Sequence, residues 1–452
     1  MNFEKIALQA PHILLPRKGI DLNRWAVIAC DQYTSQPEYW DKVARHIGDA
    51  PSTLELIFPE VYLEDDDGEQ RVQRINAAMR RYLDEKILLD QGPGFILVDR
   101  ATAHAPSRKG LVVALDLEQY DYNAGATTLI RATEGTIVDR LPPRIKVREN
   151  APIELPHIMV LIDDPQLTVI EPLFARELEE VYDVELMADG GRVRGWRVSA
   201  AADIEQVAAR LAALAMPAAF NARYGVSDQP VMLYAMGDGN HSFATAKAIW
   251  ERLKAQASDL AAIMNHPARY ALVELVNVHD PGLEFEAIHR VLFNVDGNDL
   301  LAAMERYYAD RGEGFALRQV ADLRQELALP PTAGVHRIPF VIGARQGVIE
   351  ISAPRFNLAV ATLQGFLDGY LPATKARIDY IHGAETVAEL GGKTGNAGFW
   401  LPAISKHELF KTIVLDGALP RKTFSMGEAD EKRFYLECRA IVRGGESVDI
   451  DQ

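Results

Sequence analysis

An apolar run over residues 231–236 breaks at Gly237-Asp238-Gly239-Asn240-His241-Ser242 and gives way to an alanine-rich segment of helical composition. That order reads as a strand, a glycine-flanked turn and a helix, so the fold must contain a layer in which a strand end meets a helix start. Such a junction exposes backbone N–H groups where the positive end of the helix dipole gathers, and here it also supplies a carboxylate, an amide and an imidazole. Gly237, Gly239, Asn240, His241 and Ser242 are therefore candidates to hold a phosphate, with Asp238 beside them. The same residues fit a plainer reading, in which Asp238-Gly239 makes a tight turn, Ser242 caps the helix and His241 packs nearby.

At 452 residues the chain exceeds what one hydrophobic core usually sustains, and two or three packed regions are expected. Lys and Arg number 48 against 64 Asp and Glu, and the resulting net charge of −16 makes nucleic acid a poor partner. Only Cys30 and Cys438 occur, far apart and without a CxxC pattern, which argues against a disulfide scaffold or a thiolate zinc site and fits a reducing cytoplasm. Glu4, Gln9 and His12 interrupt the apolar residues at the N-terminus and no later run reaches membrane-spanning length, so neither export nor membrane anchoring is expected. The apolar content is compatible with a homodimer.

Strands and helices alternate along the chain. A short buried strand at 25–30 is expected to end in the polar loop Asp31-Gln32-Tyr33-Thr34-Ser35, where Asp31 is placed to line a cleft, and residues 38–47 have helical spacing. Val72, Ile75, Met79, Tyr82 and Leu83 mark an amphipathic helix within 68–89. Residues 95–98 and 111–117 read as a strand pair. Further strands at 127–138 and 157–162 are joined by a basic, proline-bearing connection that contains Arg140, Arg144, Lys146 and Arg148. A helical stretch at 167–181, a hairpin around Asp189-Gly190-Gly191 and a helix at 202–215 lead to the motif. Beyond it come a strand at 270–278, helices at 285–293 and 300–308, a loose connection at 319–332 and a hairpin from 338–342 and 348–351.

Arg131-Ala132-Thr133-Glu134-Gly135-Thr136 sets a carboxylate beside a glycine in a β-prone run. In an extended strand Arg131 and Glu134 point to opposite faces, which leaves Glu134 for chemistry; an edge-strand glutamate in solvent is the alternative. The loop 419–427, with Arg421, Lys422, Thr423, Ser425 and Gly427, suits a second phosphate or a carboxylate. Gly391-Gly392-Lys393-Thr394 is no P-loop, because Val387 stands where that spacing requires glycine. His266, His279, His289 and His382 lack metalloprotease spacing and read as structural.

Through residues 26–35, 144–152, His266-Pro267-Ala268-Arg269-Tyr270 and Pro420-Arg421-Lys422, the whole chain resembles the domain-of-unknown-function-1015 family of bacterial and archaeal proteins. That family's central motif, Asp-Gly-His-His-Arg, is similar to the one in ADP-dependent free-serine kinases of the ParB/sulfiredoxin-like fold, where it binds nucleotide phosphate and substrate and a glutamate acts as base. By this resemblance the motif aspartate falls on Asp238, its glycine on Gly239, its second histidine on His241 and the base on Glu134. Asn240 replaces the first histidine, Ser242 replaces the arginine, and Thr133 stands where the kinases have histidine before the glutamate. Losing the arginine removes a planar phosphate clamp that Lys247, Arg131 or Lys422 would have to replace.

The resemblance implies an α/β chain with mixed sheets, a central ParB-like nucleotide and substrate region at 126–295 embedded between an N-terminal α/β region at 1–125 and a C-terminal one at 296–452. The implied activity is phosphoryl transfer between ADP or ATP and a small hydroxylated amino acid such as serine. Glu134 would act as base, Asp238 would hold Mg²⁺ or orient the acceptor, Asn240 and His241 would hold phosphate oxygens, and Arg131, Arg144, Lys247 and Lys422 would offset charge. A nucleotide or metabolite sensor without turnover, and a phosphatase acting on a phosphorylated amino acid, are the alternatives.

Overall fold

The computed structural model describes residues 1–443 apart from 35, 64, 124, 136–140, 321 and 331, and the side chain of 324. The chain divides into two compact units, one formed by Met1–Glu284 with 427 onward and the other by Phe285–Met426. These units differ from the three expected spans. The 125/126 boundary would cut through a single sheet, and the last residues return to the first unit.

The first unit is built on an eleven-stranded mixed sheet. Its main strands are β1 (Phe95–Ala101), β2 (Arg108–Asp116), β3 (Tyr120–Asp121), β4 (Ile130–Arg131), β5 (Met159–Ile162), β6 (Glu179–Glu185), β7 (Arg192–Val198), β8 (Tyr234–Asp238) and β9 (Tyr270–Asn277). They run in the order β6-β7-β1-β2-β9-β5-β8-β4-β3, and two short N-terminal strands complete the sheet along β2. Period-two alternation splits the side chains between two cores: Phe95, Leu97, Leu111, Val113, Ala271 and Val273 enter one, while Ile96, Val98, Val112 and Leu272 enter the other. Helices cover both faces. Among them are α1 (Pro37–Ile47), α2 (Gly68–Asp84), α3 (Leu141–Arg148), α4 (Ala201–Leu214) and α5 (Asn240–Gln256). Ile204, Val207 and Leu211 of α4 and Phe243, Ile249 and Trp250 of α5 seal the first core, and Trp40, Val43, Ile75 and Met79 of α1 and α2 seal the second. A fully buried Leu or Val contributes about 1.5–3 kcal/mol, so faces filled this way fix the register of every strand between them.

The C-terminal stretch is the last piece of the second core. Ala29 N–H donates to Arg433 O (2.9 Å), Tyr435 N–H to Val27 O (2.8 Å) and Cys438 N–H to Leu14 O (2.9 Å). Residues 25–30 are thus buried and paired as expected, but through an isolated bridge between Ile28 and Phe434 rather than a strand of a sheet.

Four further elements differ from the sequence reading. Among the described residues of the expected strand 127–138, only Ile130–Arg131 is a strand. The basic connection contains helix α3, whose first turn tolerates Pro142 and Pro143 because no intrahelical N–H is needed there; Arg140 lies outside the described residues. The stretch 167–181 yields a short 3-10 turn, Glu171–Ala175, and then β6, where Tyr182 and Val184 alternate inward. Residues 285–293 form strands, Phe285–Ala287 and His289–Phe293, because both find antiparallel partners.

The second unit holds a six-stranded antiparallel sheet made of β10 (His289–Phe293), β11 (Gly314–Gln319), β12 (Val335–Ile342), β13 (Arg345–Ser352), β14 (Arg377–Ile381) and β15 (Asn396–Phe399), in the order β11-β13-β12-β15-β10-β14. Helices α6 (Gly297–Ala309) and α7 (Ala359–Tyr370) pack Leu300, Met304, Leu363 and Phe366 onto it. Gly391 explains its own presence: a Cβ there would lie 2.5 Å from the Gly398 nitrogen, so the Gly-Gly pair serves helix-to-strand packing.

Candidate functional site

Strand β8 carries the motif out of the sheet. It runs parallel to β4, with Tyr234 opposite Ile130 and Ala235 opposite Arg131, and antiparallel to β5. Val160 faces Met236 and Met159 faces Asp238, so Gly237 is the extra residue of a bulge that re-aims the chain at Asp238. Gly239 follows in the left-handed conformation (φ 76°), and a Cβ on it would come within 3.0 Å of the Ile158 backbone. Conformation and space both demand glycine there. Helix α5 starts at once, without a side-chain cap. Ser242 therefore does not cap the helix; it lies within the first turn, 3.2 Å from His157 Nε2.

Asp238 accepts the Gly239 N–H (2.9 Å) and the Lys432 ammonium (3.1 Å). Its side chain is 27% exposed, whereas that of Lys432 is 11% exposed. Burial opposes ionisation of Asp238, but the charges of Lys432 and His157 and the hydrogen bonds from Lys432 and Gly239 outweigh it and hold the carboxyl below the usual range. His157, almost fully buried, joins its Nδ1 to the Tyr435 hydroxyl (2.7 Å), and its Nε2 lies 3.6 Å from Asp31 Oδ2. Glu60 pairs with Arg144, and burial, reinforced by Asp31, pushes its carboxyl up despite that guanidinium. Burial, with Asp31 and Glu60, pushes the Cys30 thiol up, so it is no nucleophile.

Beside this cluster a cleft of about 140 Å³ is lined by Glu60, Arg144, His157, Ser242 and Tyr435 over an apolar wall that includes Ile57 and Phe58. The fold thus gathers Asp31, Arg144, Ser242 and Asp238 around His157. Neither Asp238 nor Glu134 is among the cleft's described lining residues. The Thr133 hydroxyl donates to Met236 O (2.7 Å), which keeps the chain alongside β8 up to the residue before Glu134, itself half-buried. Asn240 Oδ1 is buried without a hydrogen-bond partner among the described residues, and His241 is half-buried with its carbonyl accepting the Thr245 hydroxyl (2.7 Å).

Two expected cations have partners of their own, and a third lies in the second unit. Arg131 is buried and donates to the carbonyls of Thr128 (3.1 Å) and Pro230 (2.6 Å), clamping the start of the two parallel strands. Lys247 donates to Leu117 O (2.9 Å) and pairs with Glu251 (2.7 Å), one turn along α5. Lys422 belongs to the second unit, in the left-handed conformation. The sequence reading missed His157, Lys432 and Tyr435. Only chain topology brings them to the motif, because the C-terminal stretch returns almost two hundred residues after Asp238; a basic-aromatic run Lys432-Arg433-Phe434-Tyr435 in an acidic chain was the one available signal.

Among the described residues no group of three or more His, Cys, Asp and Glu is gathered for a metal, and no helix is long and apolar enough to cross a membrane. A single carboxylate fits Mg²⁺ only in the manner of a nucleotide-borne ion, held chiefly by phosphate oxygens and water.

A family model described as "Protein of unknown function (DUF1015)" matches residues 14–370. The chain belongs to this family. No curated protein matches the chain. Among solved structures, this DUF1015 member is similar to a free serine kinase in complex with AMP, at 12% identity and TM-score 0.38 over 73% of this chain and 91% of that one. It is also similar to a conserved hypothetical protein from Pyrococcus furiosus, at 12% identity and TM-score 0.37 over 73% of this chain and 95% of that one. A third likeness is to SbnI with C-terminal truncation from Staphylococcus aureus, at 9% identity and TM-score 0.34 over 70% of this chain and 82% of that one.

Proposed function

We propose that the protein is a cytoplasmic phosphotransferase that moves a phosphoryl group between ADP or ATP and a small hydroxylated amino acid such as serine. The observation that carries this reading is the Lys432–Asp238 pair at the left-handed Gly239, where α5 begins beside a cleft that holds Arg144, His157 and Ser242. Backbone N–H groups at a helix start, a nearby ammonium and an imidazole make a ready anion site. The cleft's 140 Å³ is well below the roughly 300–1,000 Å³ of sites for drug-sized ligands, so it does not take a whole nucleotide, whose phosphates would lie at the turn.

In the step itself the acceptor oxygen attacks phosphorus, the bond from phosphorus to the nucleotide's leaving oxygen breaks, and the hydroxyl proton passes to Glu134. Lys432, Asn240, His241 and the first amides of α5 hold the phosphate oxygens, and Asp238 keeps Lys432 aimed at them. Asp238 would be the protein ligand of a nucleotide-borne Mg²⁺, which would supply shielding of the phosphate charge. Incubation with serine and ADP or ATP, followed by ³¹P NMR, tests this reading. Phosphoserine should form, and Glu134→Gln should lower turnover by about 10²–10⁴-fold. Turnover within a few-fold of wild type would remove Glu134 as base.

One observation favours a second reading. Ser242, at the position of the family motif's arginine, hydrogen-bonds His157 and brings no charge to the phosphate. A nucleotide sensor would bind ADP, ATP or CTP tightly and form no product over hours.

A further inference from the structure

A second hollow, of about 640 Å³, opens in the first unit between α1, α2 and residues 54–62. It shares only Ile57 and Phe58 with the cleft described above, and its volume falls within the roughly 300–1,000 Å³ typical of small-molecule sites. Its lining combines two chemistries. Trp40, Ile57, Phe58, Ile75 and Ala78 are all buried and present an apolar floor.

The rim carries charges of both signs. Arg71, Arg74 and Arg81 fall on one face of α2 and line the hollow together with two carboxylates, Asp41 and Glu55. The Arg71 guanidinium lies 4.3 Å over the Tyr62 ring and donates to Asp67 (2.7 Å); Arg81 donates to Glu55 (2.8 Å). Arg74, 60% exposed, directs one N–H at Asp67 (3.0 Å) out of its five donors.

We propose that this hollow binds a small amphiphilic anion, with its flat apolar body on the floor around Trp40 and Ile75 and its acidic group, carboxylate or phosphate, at Arg74 and Arg81. The exposed Arg74 guanidinium, which gives Asp67 one of its five donors, selects this class over a neutral apolar ligand. The site is independent of the phosphotransferase reading.

The test uses the full-length protein with 1-anilinonaphthalene-8-sulfonate and its uncharged counterpart N-phenyl-1-naphthylamine, followed by fluorescence. The sulfonate should bind saturably and more tightly than the uncharged dye. Ala77→Trp fills the mouth from an exposed helix position and should weaken the sulfonate at least about tenfold with an unchanged circular dichroism spectrum. Arg74→Glu should weaken the sulfonate and leave the neutral dye unaffected. Displacement of the sulfonate by decanoate or by phenyl phosphate tells which acid the rim takes. No saturable binding below about 1 mM, wild-type binding by Ala77→Trp, equal affinity for both dyes, or displacement by neither acid would overturn the proposal.

Discussion

Lys432 and Arg433 are neighbours on the same C-terminal stretch and serve two different kinds of ionic cluster. Arg433 donates to Glu274 (2.6 Å), Glu437 (2.7 Å) and the Pro156 carbonyl (2.6 Å), and all three charged side chains are 5% exposed or less. Lys432 pairs with Asp238, a carboxylate that still sees solvent. The first cluster is closed on itself and leaves no room for a ligand; it fastens the chain end to the middle of β9. The second stays open towards the turn, the His157 ring and the helix start. Adjacent cations of the same chain are thus divided between holding the fold and presenting charge, and burial decides which does which.

Breaking the closed cluster should have the largest effect. Arg433→Met leaves Glu274 and Glu437 buried without their cation, and urea unfolding should lose about 3–5 kcal/mol. A loss below about 1 kcal/mol would mean that the cluster does not fasten the chain end.

The second unit sharpens the comparison with a buried group whose neighbouring charges are cationic. Burial, with Arg290 and His382, lowers the His289 imidazole to about 4 from an ordinary 6.5, and its Nδ1 accepts the Leu401 N–H (3.1 Å). Between these values the unfolded chain binds the proton and the folded chain does not, so stability falls as pH drops through that window, by about 3 kcal/mol in all. Denaturant titrations at pH 7 and 4.5 should show this slope in wild type and lose it in His289→Gln.

The smallest effect belongs to the open pair. Lys432→Met should cost about 1 kcal/mol, because Asp238 can still reach water. Asp238 is held below its ordinary value of 3.8, so its contribution is present above that pH and disappears as pH falls through the lowered value; the variant should lose this acid-end slope. A loss as large as that of Arg433→Met would erase the distinction between the two clusters.

Much of the fold was legible because it follows from side-chain period. The strand pair β1 and β2, the turn between β6 and β7, helices α2 and α4, and the strand-turn-helix at Asp238 all announce themselves through alternation, turn residues or an apolar stripe. Residues 285–293 do not: apolar spacing over so short a run suits a helix or a strand, and only the partners at β14 and β15 decide it. The candidate site could be proposed from sequence where it is local, at Gly239, Asp238 and Ser242, and partly at Asp31 and Arg144. His157, Lys432 and Tyr435 arrive through topology, since one stands just before β5 and the others on a stretch that pairs with residues 27–29. Arg131 and Lys247 misled for the opposite reason, because a sequence does not reveal that a guanidinium or ammonium will be taken up by nearby carbonyls.

The most direct measurement is isothermal titration of ADP and ATP, with Mg²⁺, into wild type and Lys432→Met. If the Gly239 turn and its Lys432–Asp238 pair hold nucleotide phosphate, wild type binds at least one of the two and the variant, still folded, binds it at least about tenfold more weakly. Equal affinity in both proteins, or no binding of either nucleotide by wild type, would contradict the account.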